Sequence, residues 1–126
     1  MSRTIIVSTG APASPPSYSQ AVKAAGLVLV SGTSPIDPAT GKIVDATVQA
    51  QVAQCLTNIS AILQEAGSSL AQAVSATLII TDEDDFPAAN EEWQKWFPSD
   101  PPARQGAKMP VRVPGMKVSI ALIAEA

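Results

Sequence analysis

Between residues 45 and 67 the apolar side chains Val48, Val52, Leu56, Ile59 and Leu63 recur every three or four positions, the spacing of one face of an α-helix. Asp45 reads as its N-cap and Gly67 as the residue just past its end, while Cys55 and Ile62 widen the stripe. A helix buried along one side needs a surface to lie on, and the flanking segments supply strands. "RTIIV" (3–7) is β-branched, and "STGAPASPPS" (8–17) is loop. "YSQAVKAAGLVLVSG" (18–32) reads as two short strands around a turn at Lys23–Gly26, with "LVLV" buried on both faces. "SPIDPATGK" (34–42) is turn-rich, and "AVSATLIIT" (73–81) is another strand.

The segment 81–97 predicts a second helix, with Phe86, Ala89, Trp93 and Trp96 or Phe97 along one stripe and Pro87 tolerated in its first turn. "ARQGAKM" (103–109) and "GMKVSIALIAEA" (115–126) read as a closing hairpin around Val111–Pro114. In that hairpin Arg104 and Ser119 are equidistant from a turn centred between Val111 and Arg112, so they are expected to pair and share a sheet face. The element order is β-β-β-α-β-α-β-β. It predicts one two-layer α+β domain over residues 1–126, its two helices on one face of the sheet.

The other face of that sheet also needs cover. Hydrophobic residues make up 46% of the chain and charged residues 15%, against roughly 25% in ordinary soluble domains. So few charges cannot clothe a monomer, and sister subunits are the expected cover. No apolar run approaches the ~18 residues of a membrane span, and the opening "MSRTIIVSTGAPA" lacks the apolar core of a secretory signal. With Cys55 as the only cysteine, an intracellular, cytoplasmic setting is expected. The net charge of −3 argues against nucleic acid as a partner. There is no histidine, which removes Ser-His-Asp and Cys-His pairs, His-based zinc sites and imidazole acid–base chemistry.

Several residues invite functional readings. Asp82, Glu83, Asp84 and Asp85 could hold Mg²⁺ or Ca²⁺, but acids at a helix start more simply oppose its positive end, and no metal is expected. The sequon Asn58-Ile59-Ser60 lies inside the predicted helix and reads as chance. Cys55 has no cationic activator within a turn and reads as a small buried hydrophobe. Arg104 stands apart, because its neighbours Ala103, Gly106 and Ala107 are small and leave room beside the guanidinium. Its fork of donors matches a carboxylate. A structural salt bridge to Glu91 or Glu92 is the equal alternative on these residues alone.

The segments "YSQAVKAAGLVLVSG" (18–32), "DPATGKIV" (37–44), "TDEDDFPAANEEW" (81–93) and "FPSDPPAR" (97–104) together resemble the reactive intermediate deaminase family, also called RidA/YjgF. The resemblance covers essentially the whole chain. It implies a chorismate-mutase-like α+β fold on a mixed sheet, assembled as a homotrimer whose sheets form an inner barrel, with ligand clefts between subunits. It implies cofactor-free hydrolysis of 2-imino or 2-enamino carboxylates to 2-keto acids and ammonia. Arg104 would grip the carboxylate and Tyr18 line the cleft. Ser31 and Gly32 would form its backbone wall, and Asn90 would support the site.

Three positions depart from the family pattern. The water-positioning glutamate of the last strand is Ser119, the cysteine two residues past the arginine is Gly106, and the glutamine after Ser-Gly is Thr33. These departures predict a roomier cleft, and a slow deaminase or one with an atypical substrate. A 2-keto acid binding protein without turnover is the alternative, and an endoribonuclease the weakest reading.

Overall fold

The computed structural model describes residues 2–44 and 47–126, so the expected cap Asp45 lies outside the described residues. The cap seen is Thr47, whose Oγ1 accepts from the Ala50 N–H at 3.2 Å at the head of α1 (Val48–Glu65). At the other end the Gly67 N–H donates to the Gln64 carbonyl and the Ser68 N–H to the Leu63 carbonyl. This is a Schellman closure, and Gly67 takes the φ of +81° that it requires. Val48, Val52, Cys55, Leu56, Ile59, Ile62 and Leu63 are all buried, as the periodicity predicts.

Strands β1 (Thr4–Ile6), β2 (Ala21–Ala24) and β3 (Leu27–Thr33) form an antiparallel meander. Ala25 and Gly26 both have positive φ between β2 and β3, which is the two-residue turn whose twist suits a hairpin. Val28 and Val30 face α1, but Leu29 is 42% exposed, so "LVLV" is not buried on both faces within one chain. A small separate hairpin follows, β4 (Ile36–Asp37) with β5 (Lys42–Ile43). It is tied to α1 by the Asn58 amide, whose Nδ2 donates to the carbonyls of Ser34 and Ile36.

Beyond α1 come β6 (Ala73–Ile80), α2 (Phe86–Trp96), β7 (Ala103–Lys108) and β8 (Val118–Glu125). Pro87 sits in the first turn of α2, and Ala89, Trp93 and Phe97 bury its inner stripe. The expected closing hairpin does not form. The sheet order is β1-β2-β3-β8-β6-β7, with β7 parallel to β6 and every other pairing antiparallel. β6, α2 and β7 therefore make a parallel crossover, and β8 enters the middle of the sheet between β3 and β6. The side-chain chemistry explains the choice. Val118, Ile120, Leu122 and Ala124 are buried along β8, which fits a central strand, whereas "ARQGAK" of β7 offers small and polar residues fit for an edge.

Both helices cover one face of this mixed sheet, the two-layer α+β arrangement. The opposite face carries Ile5, Val22, Leu29, Ser75, Thr77, Ile79, Ser119, Ala121 and Ile123, with Glu125 as a charged residue at the end of β8.

Asn58 is fully buried and also accepts from Gln54 Nε2 at 2.9 Å, so its amide links three backbone and side-chain groups. Asn58→Ala is expected to lower stability by about 1–3 kcal/mol, because the Ser34 and Ile36 carbonyls lose their donor. Urea unfolding followed by circular dichroism checks this, and an unchanged midpoint would contradict it.

Candidate functional site

The first cluster forms where β3 loses its register. Between Val30 and Thr33 the pairing with β8 shifts, and Ser31 and Gly32 bulge out of the ladder. The Ser31 N–H donates to the Gln20 carbonyl at 3.0 Å and Ser31 Oγ to the Ser19 carbonyl at 2.6 Å, while Thr33 Oγ1 donates to the Ser31 carbonyl at 2.8 Å. The buried Gln20 amide binds Ser8 through its N–H and carbonyl and also bonds the Pro12 carbonyl, fixing the proline-rich loop beside the bulge. Pro12, Ser14, Tyr18, Ser31, Gly32 and Thr33 thereby share one cavity of about 80 Å³. That is well below the roughly 300 Å³ at which ligand pockets usually begin. A Cβ on Gly32 would lie 3.3 Å from Ser119 Oγ, so the glycine lets the Ser119 hydroxyl approach the bulge.

The second cluster is at the other edge. Arg104 on β7 pairs with Ala76, a core residue, so its side chain lies on the helix side of the sheet. Its Nη2 donates to Asn90 Oδ1 at 2.7 Å, and its guanidinium carbon stands 5.1 Å from the Trp93 ring centroid. The groove here is formed by Asn90, Trp93, Gln94, Phe97, Pro102 and Arg104. Partial burial lowers the Arg104 pKa by desolvation, yet a guanidinium stays charged at any physiological pH. The expected salt-bridge alternative is absent: among the described residues Arg104 has no acidic partner. Glu92 instead accepts from Trp96 Nε1 at 2.8 Å and lies 3.6 Å from Lys95 Nζ.

Two expectations are corrected by this geometry. Arg104 and Ser119 do not pair: Arg104 is opposite Ala76, Ser119 is opposite Ile79, and β6 lies between their strands. Because Ala76 and Ile79 point to opposite faces, so do Arg104 and Ser119. Nor does Gly106 open a space. A Cβ there would stand 2.8 Å from Phe86 Cε1, so the phenyl ring already occupies that position.

Tyr18, Ser31, Gly32, Thr33 and Ser119 are thus gathered at one place, and Arg104, Asn90 and Gly106 at another. Three strand spacings separate β7 from β3, roughly 14 Å, and two separate it from β8, roughly 10 Å. The part that sequence reasoning missed is Trp93, which its helical spacing marks only as core. Its spacing of three residues from Asn90 was the available signal.

The remaining candidates resolve structurally. Asp82 caps the turn Glu83–Asp85 by accepting from the Asp84 N–H, and Glu83 pairs with Lys108 at 3.1 Å. No cluster of three or more metal-ligating side chains occurs among the described residues. The Asn58 amide of the sequon is buried and bonded. Cys55 is buried against the Thr33 carbonyl, and burial pushes its thiol pKa far up, away from the reactive thiolate.

The sequence profile of the family described as Endoribonuclease L-PSP matches residues 8–126. A Capra hircus protein named 2-iminobutanoate/2-iminopropanoate deaminase is 38% identical over 122 residues, 97% of this chain and 89% of that protein. A RutC family protein of Pyrococcus abyssi is 39% identical over 104 residues, 82% of each chain. The solved structure of the Rid family protein YyfA from Yersinia pestis superposes with a TM-score of 0.94 at 31% identity, covering 99% of this chain and 100% of that one. Yeast Mmf1 superposes at 0.92 with 30% identity, over 98% of each chain. With profile, sequence relatives and solved structures in agreement over nearly its whole length, the chain belongs to the Rid (RidA/YjgF) family.

Proposed function

We propose that this protein hydrolyses 2-imino and 2-enamino carboxylates to 2-keto acids and ammonia, without a cofactor, in clefts shared between the subunits of a homotrimer. The observation that carries the reading is Arg104: a cation held by an amide and an indole, with no acidic partner among the described residues, at the mouth of a groove. Such a guanidinium is ready for a substrate carboxylate, which it can take through two N–H donors. The deaminase named among the relatives acts on substrates with that carboxylate, and the solved structure of E. coli TdcF contains serine, which also has one.

In this reaction an enamine first takes a proton at C3 to become the imine. Water then adds to C2, and the resulting carbinolamine collapses to the ketone as its nitrogen leaves as ammonia. Arg104 fixes the carboxylate, Asn90 supports Arg104, and Tyr18 with the Ser31–Gly32 backbone closes the opposite side. Ser119 Oγ and Thr33 are the side chains nearest that wall that could hold water. Because a single chain keeps these two groups of residues apart, the proposal requires a neighbouring copy to complete each cleft. The mostly apolar open sheet face is the surface through which copies would meet. The single buried cysteine fits the reducing, cytoplasmic setting that belongs to the same proposal.

Ser119 favours a second reading, a 2-keto acid binding protein without turnover. A hydroxyl can hold water but lacks the carboxylate that polarises it, and general acid–base help is typically worth 10²–10⁴-fold in rate. The ribonuclease activity in the family description is not adopted, since the chain is acidic and has no histidine.

Light scattering at micromolar concentration is expected to give about three times the 13.0 kDa chain mass, and a monomer would remove the shared cleft. In calorimetric titration with 2-oxobutanoate, Arg104→Ala should lose more than about tenfold in affinity with the fold intact, and Arg104→Lys much of the same. Unchanged affinity would return Arg104 to a structural role. For 2-iminobutanoate generated with an amino-acid oxidase, loss of the imine should be slow in the wild type and faster in Ser119→Glu. A fast wild type with no gain from Ser119→Glu would mean that backbone-held water suffices. If neither variant turns over while both bind 2-oxobutanoate, the binding-protein reading stands instead.

A further inference from the structure

Among the described residues the Arg104 side chain has two contacts of different kinds, and both come from α2. Asn90 and Trp93, three residues apart on one helix face, supply an amide oxygen to Nη2 and an indole ring whose centroid lies 5.1 Å from the guanidinium carbon. The indole cannot swing away. Trp93 is 5% exposed, and its ring packs against Phe97 with centroids 4.7 Å apart and the planes tilted by 35°. Phe97 is itself buried at the end of the helix. A free arginine side chain samples many rotamers and gives up about 2 kcal/mol of entropy when it is fixed. Here that ordering is largely complete before any ligand arrives. Both partners are neutral, so the orientation is set without spending the positive charge. A carboxylate partner would fix the side chain equally well but would compete directly with an anionic ligand.

We propose that Trp93 is a positioning residue: its indole restrains the Arg104 guanidinium so that the donors not used by Asn90 are presented to the groove. This rests on the carboxylate grip proposed above, and it assigns a role in ligand affinity to a side chain otherwise readable as core. The contribution is made to binding and not to the hydrolytic step, so loss of the indole raises KM and Kd while kcat holds.

The chain has three arginines, and Arg3 and Arg112 are exposed, so an NMR spectrum of the arginine Nε–H groups is simple to read. In the wild type the Arg104 signal is expected upfield of the other two, displaced by the indole ring current, and it should move on titration with 2-oxobutanoate. In Trp93→Phe, which keeps a ring in the core, the displacement should shrink and the 2-oxobutanoate Kd should rise roughly two- to fivefold, the size of a cation–π contact. In Trp93→Leu the displacement should vanish and the Kd rise further, while kcat on 2-iminobutanoate stays within about twofold. An Arg104 signal that coincides with Arg3 and Arg112 in the wild type would overturn the proposal, whatever the variants do. So would unchanged Kd in Trp93→Phe. A displaced signal that depends on Trp93, in a protein that binds no 2-oxobutanoate, would sustain the positioning of Arg104 and overturn the function proposed for it.

Discussion

The position of the last strand governs the rest of this structure. β8 is apolar at nearly every position and is buried along its helix-facing side, so it belongs in the middle of the sheet, between β3 and β6. Once it is there, β7 cannot reach it. β7 is left as an edge strand paired only with β6, and α2 becomes the crossover that returns the chain in parallel. Arg104 is thereby placed at one edge on the helix side, and Ser119 near the centre on the open side. The division of the candidate site into two clusters follows from this strand order and not from any loop detail.

The open face gives that division its meaning. Along β1, β2, β3, β6 and β8 it presents Ile5, Val22, Leu29, Ile123, Ala121 and Ile79, with Ser75, Thr77 and Ser119 among them and Glu125 at the end of β8. Removing apolar surface of this kind from water is worth about 25 cal/mol per Å², and nothing among the described residues packs over Ile5 and Leu29, which are 46% and 42% exposed. A chain whose charged fraction is only 15% has little else with which to stay dispersed as a monomer. The same association that would cover the sheet would also bring the bulge of one copy toward the arginine groove of another. Assembly and site completion are therefore one requirement in this proposal, and Gly32, which leaves Ser119 accessible beside the bulge, sits where the two meet.

Much of this was legible in the residues. The spacing of Val48 to Leu63 located α1, Gly67 marked its end, and the stripe from Phe86 to Phe97 gave the inner face of α2. These are local signals, set by a helical period and by backbone conformations that neighbouring residues control. The closing hairpin failed because strand pairing is not local. Val111–Pro114 resembles a turn in isolation, but the hydrophobic demand of β6 for a partner on each side outweighs it. The pocket expected at Gly106 failed for a related reason, since the Phe86 ring that fills it comes from twenty residues upstream. Arg104 stood out for its small neighbours, and Asn90 entered as a supporting residue through the family resemblance, but Trp93 was hidden because its helical spacing also fits a core.

The claim on which this account depends is that each cleft takes Arg104 from one copy and the Ser31–Gly32 wall from the next. The most direct test mixes two variants, each expected to bind no 2-oxobutanoate alone: Arg104→Ala, which removes the grip, and Gly32→Leu, which fills the wall. Co-refolded in equal amounts, trimers of random composition should regain about a quarter of the wild-type binding sites, because one in four clefts draws an intact half from each parent. If the mixture binds 2-oxobutanoate no better than either variant alone, although mixed trimers are verified by mass, the cleft is not shared between subunits and the account is wrong.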